Sequence, residues 1–192
     1  MKKLELFFDF ASPYSYLAAT QLPELARRTG ATVVWRPMVL GAVFKAAGND
    51  MPAKVASKGR WMGQDLQRWA AHYGIPWHFS SHFPLNTVKA MRLVLVDDAK
   101  AEAVALAAFR SLWADDRNIT EEAELRRIAA AAGLDADAAL AAIEDARIKD
   151  RLRANTDEAI ARGAFGAPTM FVDDQLFWGN DRLQFVEAAL TS

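Results

Sequence analysis

The chain has 192 residues, 52% of them hydrophobic, a net charge of −1 and no cysteine. That is enough apolar material for a sizeable core. The near-zero charge, with acidic and basic residues interspersed, gives no electrostatic footprint for nucleic acid. Without cysteine there is no disulfide, no thiolate metal site and no cysteine nucleophile, so any thiol chemistry needs a thiol brought from outside.

Leu4 to Phe10 is a short, apolar and aromatic run that ends at a turn-like Asp-Phe-Ala-Ser-Pro, the pattern of a buried strand. Ser12-Pro13 then reads as the N-cap and first residue of a helix, where proline's missing N–H is not missed. This helix is expected to reach Arg28, with Pro23 kinking or restarting it and Gly30 ending it. Thr32 to Met38 is a second strand, which makes the opening a β-α-β unit with parallel strands.

From about Ser57 to Arg162 the chain is alanine-rich and helical in its periodicity, with five or six helices of ordinary length expected. Candidate caps are Asn86-Thr87, Thr120 and Asp135; breaks are expected at Gly74-Ile75-Pro76, at Gly133 and near Asn155. The tail returns to β structure. Met170-Phe171-Val172 and Gln175 to Trp178 form a hairpin across Asp173-Asp174, and Asp181 is expected to cap a last helix running through Leu190. No apolar run approaches the ~20 residues needed to cross a bilayer. Glu5 and Asp9 interrupt the stretch after Lys2-Lys3, which reads as mature, cytoplasmic protein rather than a signal peptide.

Four places could carry chemistry. Ser12 is an N-cap by itself, but a helix N-terminus also offers free amides and partial positive charge to an anion. Gly166-Ala167-Pro168-Thr169 is a loop proline before a strand; a cis bond there would expose the Ala167 backbone to an extended peptide, which sequence alone does not establish. Trp178-Gly179-Asn180-Asp181 could take a carboxylate on backbone amides and an ammonium on Asp181. Lys45, Asn49 and Lys58 are polar residues without a context of their own. The three histidines, His72, His78 and His82, offer no convergent set of ligands, so no metal is expected.

Phe8-Asp9-Phe10-Ala11-Ser12-Pro13-Tyr14-Ser15-Tyr16-Leu17, Gly48-Asn49, Lys58-Gly59, Phe165-Gly166-Ala167-Pro168-Thr169 and Phe177-Trp178-Gly179-Asn180-Asp181-Arg182 occur in that order. Together they resemble the 2-hydroxychromene-2-carboxylate isomerase family and the related kappa-class glutathione transferases. The resemblance implies an α/β fold: a thioredoxin-like domain (1–44 and 163–192) with an inserted all-helical domain (45–162). It implies glutathione as cofactor, with Ser12 catalytic where disulfide oxidoreductases carry the first cysteine of C-x-x-C. Ser15 fills the second position, so no redox dithiol exists.

By the same resemblance the glutathione site comprises Ser12, Asn49, Lys58, Ala167, Pro168, Trp178, Gly179, Asn180 and Asp181, with Lys45 on the substrate side. Ala167 would pair with the cysteinyl backbone, Asn180 and Asp181 would hold the γ-glutamyl end, and Asn49 and Lys58 the glycyl end. The implied partners are a small aromatic or other electrophilic substrate and a second copy of the chain. Ala167 departs from the valine frequent before this proline, and Trp61 from a tyrosine frequent in the kappa class. A transferase and a non-catalytic glutathione- or peptide-binding module are the competing readings.

Overall fold

The computed structural model describes residues 2–192. Four strands, β1 (Lys3–Phe8), β2 (Thr32–Pro37), β3 (Thr169–Val172) and β4 (Gln175–Trp178), form one sheet in the order β2-β1-β3-β4. β2 runs parallel to β1, pairing Leu6 with Trp35; β3 is antiparallel to β1, pairing Leu6 with Met170, and antiparallel to β4. The β1-helix-β2 opening and the β3-β4 hairpin are those expected from the sequence. β1 stops at Phe8 rather than Phe10, because the Asp9 carboxylate turns the chain by accepting the Ala11 N–H.

Nine helices occur among the described residues: α1 (Pro13–Thr29), α2 (Leu40–Ala47), α3 (Ala56–Tyr73), α4 (Val88–Val94), α5 (Ala101–Trp113), α6 (Glu122–Ala131), α7 (Ala136–Ala142), α8 (Ala146–Ala161) and α9 (Leu183–Thr191). Six of them lie in the alanine-rich stretch. α1 starts at Pro13 behind an extended Ser12 and stops where Gly30 adopts φ +69. It continues through Pro23, so the proline neither ends nor restarts it. Among the described residues no helix is long and apolar enough to cross a membrane.

Strand alternation divides the core. Leu4, Leu6 and Phe8 project to one face, where they meet α1, α9 and the helices α4 to α8 in a single continuous cluster. Phe8, Phe10 and Phe109 form edge-on and tilted aromatic pairs within it, with centroids 4.7 to 5.4 Å apart. Phe7 and Phe171 project to the other face with Met38, which directly follows β2, and with Val43 and Ala159 from α2 and α8. Trp77 and Phe83 pack against Trp113 and are core, whereas Trp61 is exposed.

Three local expectations differ. Asn155 sits inside α8 rather than at a break: its amide donates to the Pro37 carbonyl and its oxygen accepts from Arg36, so a buried polar side chain ties α8 to β2. Thr120 does not cap α6, since its hydroxyl donates to Asn118 and Glu121 holds the cap position. Asp181 does not cap α9. A short 3-10 turn (Asn180–Arg182) precedes that helix, and the Asp181 carboxylate pairs with Arg182. Asp135 does cap α7, through the Ala138 N–H. Thr87 occupies the cap position of α4, but its hydroxyl is used elsewhere, as described next.

Candidate active site

The C-terminal end of β1, the start of α1 and the two loops flanking the C-terminal hairpin converge. Ser12 is almost fully buried and has extended φ/ψ, as an N-cap requires. Its Oγ accepts the Ser15 N–H at 3.2 Å and donates its proton to the Ala167 carbonyl at 2.9 Å, across 155 residues of sequence. The Tyr14 amide, at the second helical position, has no acceptor among the described residues. It is one of the orphan donors that every helix start leaves, and it adds to the positive end of the helix dipole.

The Ala167-Pro168 bond is cis. Its Ala167 carbonyl is not free, as the sequence suggested, but takes the Ser12 hydroxyl. Pro168 is buried, and its carbonyl accepts the Gly179 N–H at 3.1 Å, which joins the two loops. Asn49 reaches the same strip, donating to the Phe165 carbonyl at 3.0 Å. Gly166 lies under Trp178: a Cβ there would come within 2.6 Å of the indole Nε1. Phe165 and Trp178 are exposed and form an aromatic pair with centroids 5.0 Å apart.

Asn180 is buried, and its carbonyl accepts the Tyr73 hydroxyl at 3.0 Å, which links the loop to α3. Tyr14 reaches α3 as well, donating to Asp65 at 2.9 Å. Burial and then the Asp65 carboxylate push the Tyr14 phenol well above its usual range, and the Asp181 charge adds to the effect. Burial also raises the Tyr73 phenol, so both are neutral donors near pH 7. Lys45 stands in the last turn of α2 and Lys58 in the first turn of α3, both exposed and without an ion-pair partner among the described residues. Ser12, Ala167, Pro168, Gly179, Asn180, Trp178 and Asn49 are thus joined by direct contacts or one intermediary. Asp181 adjoins Asn180, while Lys45 and Lys58 stand on the helices beside the Asn49 loop.

Asp9 was not singled out from the sequence as a site residue, although it organises the surroundings of Ser12. It is 4% exposed and accepts three hydrogen bonds: from the Ala11 N–H (3.0 Å), the Thr87 hydroxyl (2.6 Å) and the Leu40 N–H (3.0 Å). One carboxylate therefore fixes the turn before Ser12, caps α2 and holds the start of α4. The only sequence signal was an acidic residue at the end of an apolar strand. Trp113 adds a second tether, its indole N–H donating to the Phe10 carbonyl at 2.8 Å.

Burial raises the Asp9 pKa above 3.8, against the lowering effect of its three donors. The protonated form therefore favours the fold below 3.8, and that contribution is lost as pH rises through the raised value. Thr87→Val removes one donor and lifts the folded pKa further. The expected cost is about 1.5–3 kcal/mol at pH values above the raised pKa, where Asp9 is ionised. It fades as the pH falls through the raised value, where Asp9 is protonated in both proteins. Urea denaturation of both proteins across this range checks it; a cost independent of pH would mean that Thr87 acts through packing alone.

Among the described residues no three His, Cys, Asp or Glu side chains gather as a metal site. A cavity of about 280 Å³ lies behind Asn180 and Asp181, between α1, α3 and α9, and does not include Ser12.

Comparison with known proteins agrees with this fold. The DSBA-like thioredoxin domain family matches residues 3–191. A 2-hydroxychromene-2-carboxylate isomerase of Sphingobium xenophagum is 41% identical over 191 residues, covering 98% of each chain. Human glutathione S-transferase kappa 1 is 29% identical over 96% of this chain and 89% of its own. A solved 2-hydroxychromene-2-carboxylate isomerase structure superposes with a TM-score of 0.90 at 32% identity, covering 98% of this chain and 94% of that one. With its thioredoxin-type sheet, its long helical segment and this degree of similarity, the chain belongs to the DSBA-like thioredoxin-domain family and, within it, to the group of 2-hydroxychromene-2-carboxylate isomerases related to kappa-class glutathione transferases.

Proposed function

We propose that the protein is a glutathione-dependent isomerase that interconverts 2-hydroxychromene-2-carboxylate and trans-o-hydroxybenzylidenepyruvate. The observation that carries this reading is the serine hydroxyl at the N-terminus of α1, set against the Ala167 backbone in a chain without cysteine. The similarity to named isomerases along the whole chain supports the substrate class.

The residues present fit glutathione. The Ala167 strip offers backbone polar groups to an extended peptide, and the missing side chain of Gly166 lets the Trp178 indole pack close beside it. Glutathione carries two carboxylates and one ammonium. Asp181 supplies the anion for the ammonium, and the exposed Lys45, Lys58 and Asn49 lie on the side proposed for the glycyl carboxylate and the anionic substrate.

The open form of the substrate has a double bond of the wrong geometry, about which thermal rotation is slow. When bound, glutathione supplies a thiolate whose reversible conjugate addition turns that double bond into a single bond. The protein's task is to hold the negative charge on sulfur. A free thiol has a pKa of ~8.5, and lowering it by about two units takes ~3 kcal/mol. The α1 dipole supplies ~0.3–1 kcal/mol, up to ~2 when partly buried. A hydrogen bond from Ser12 to the charged acceptor adds ~1.5–3 kcal/mol. Their sum, roughly 2–5 kcal/mol, brackets the requirement, which the dipole alone does not reach. Ser12 is therefore a thiolate stabiliser, and the Tyr14 amide is a second donor. Ser12 is not a nucleophile on this reading, because its hydroxyl faces an amide and a carbonyl and has no general base beside it.

Mixing the protein with glutathione and the chromene carboxylate, and following absorbance together with the thiol titre, tests the proposal. The expected result is formation of the trans product with glutathione undiminished. Net loss of glutathione into a conjugate would replace the isomerase by a transferase. Calorimetric binding with neither product nor a lowered thiol pKa would leave a binding module. Assembly as a homodimer belongs to the same proposal and is read by sedimentation.

A further inference from the structure

The Ser12 hydroxyl owns one proton, and that proton is already committed. It points at the Ala167 carbonyl at 2.9 Å, while the oxygen's lone pair takes the Ser15 N–H at 3.2 Å. Ser12 is nearly buried, so water does not freely replace either contact. A hydroxyl in this state cannot also donate to a sulfur anion. Turning it toward sulfur leaves the half-buried Ala167 carbonyl without its partner, and an unpaired polar group away from water is costly.

We infer that the Ala167 carbonyl is a latch on the Ser12 proton, released when a ligand brings a backbone N–H to that carbonyl, so that the site activates thiols carried in a peptide in preference to simple thiols. This rests on the role of Ser12 proposed above.

The exchange involves only rotation about the serine Cβ–Oγ bond. No covalent bond breaks, and the Ser15 N–H stays on the oxygen throughout, so the helix cap is kept. That retained donor also polarises the hydroxyl and improves it as a donor. A carbonyl has two lone pairs, so the arriving N–H need not expel the hydroxyl. It removes the penalty for the hydroxyl's departure. Once the carbonyl is satisfied by the ligand, the proton exchanges a neutral acceptor for a charged one, a bond roughly twice as strong. A thiol with no N–H at that place must bear the cost of an orphaned carbonyl, and part of the gain is lost.

Ala167 thereby sets specificity through its backbone, which explains why a side chain as small as alanine serves at this position. The latch also couples two events: the ionised sulfur is favoured only in a ligand docked along the Ala167 strip.

The test compares glutathione with its depsipeptide analogue, in which an ester oxygen replaces the cysteinyl N–H. Each thiol is titrated by its ultraviolet thiolate absorbance while bound at saturation, in the wild-type protein and in Ser12→Ala, and each pKa is referred to that of the same thiol free in solution. In the wild type the ester analogue is expected to show a depression smaller by about one unit, a tenfold difference in acid dissociation constant. In Ser12→Ala the two ligands are expected to show equal depressions, because no hydroxyl remains to be released. Equal depressions in the wild type, with Ser12→Ala still raising the pKa of bound glutathione, would overturn the latch and leave Ser12 as the stabiliser. An unchanged pKa for glutathione in Ser12→Ala would overturn both.

Discussion

Replacing Ser12 by alanine is expected to raise the thiol pKa of bound glutathione by about one to two units, the equivalent of a ~1.5–3 kcal/mol charge-assisted hydrogen bond. At neutral pH a thiol lowered to ~6.5 is mostly ionised, so the thiolate fraction and the turnover then fall by roughly 3- to 25-fold. The sign follows from which form loses its partner: the hydroxyl donates to the anion, so its removal penalises the ionised thiol and moves the activity profile to higher pH. Stability should suffer less, by ~1 kcal/mol for the lost N-cap. Ser12→Thr keeps both the cap and the donor and should recover most of the shift. Thiolate absorbance against pH, with a denaturation curve for each variant, separates the two effects. A variant that loses stability but keeps the wild-type thiol pKa would reduce Ser12 to a cap.

The second large effect is expected at Gly179, whose φ of +99 and ψ of 152 belong to a region that side chains rarely enter. A Cβ added there would lie 2.5 Å from the Asp181 Oδ1. Gly179→Ala therefore carries a backbone cost of about 1–3 kcal/mol and must also displace Asp181 or break the Gly179 N–H bond to Pro168. For a chain of this size that corresponds to a fall in Tm of ~2–12 °C. Glutathione affinity should drop with it, since Asp181 is the anion proposed for the ammonium. The pKa of whatever thiol remains bound should change little, because Ser12 and the start of α1 are untouched. Calorimetric unfolding and titration with glutathione check both parts; an unshifted Tm would mean that the loop relaxes freely and that Gly179 is not required by its conformation.

These two positions show what was legible beforehand. Ser12-Pro13 was readable as a cap because a cap is local: its partner, the Ser15 N–H, lies three residues away. The β-α-β opening and the hairpin were readable for the same reason, from periodicity and turn residues. Asp9 was not, because its meaning comes from Leu40 and Thr87, 31 and 78 residues distant. Asn155 has the local look of a helix end, as a polar amide in a helical run usually does, but its partners, Arg36 and Pro37, lie more than a hundred residues earlier. Asp181 looked like a cap because aspartate before an apolar helix usually is one; the intervening 3-10 turn and Arg182 take the carboxylate instead. The set of site residues was legible only through family resemblance, since their grouping is made by contacts such as Ser12 to Ala167 that no local pattern encodes.

The antiparallel pairing of β3 with β1 also bears on how the molecule is made. During synthesis the chain through α8 emerges first, with β1 paired on one side by β2 and bare on the other. That open edge is a template for unwanted strand addition until the C-terminal hairpin arrives to cover it. The same docking brings Ala167 to Ser12, so the last step that makes the nascent protein safe from aggregation is also the step that assembles its site.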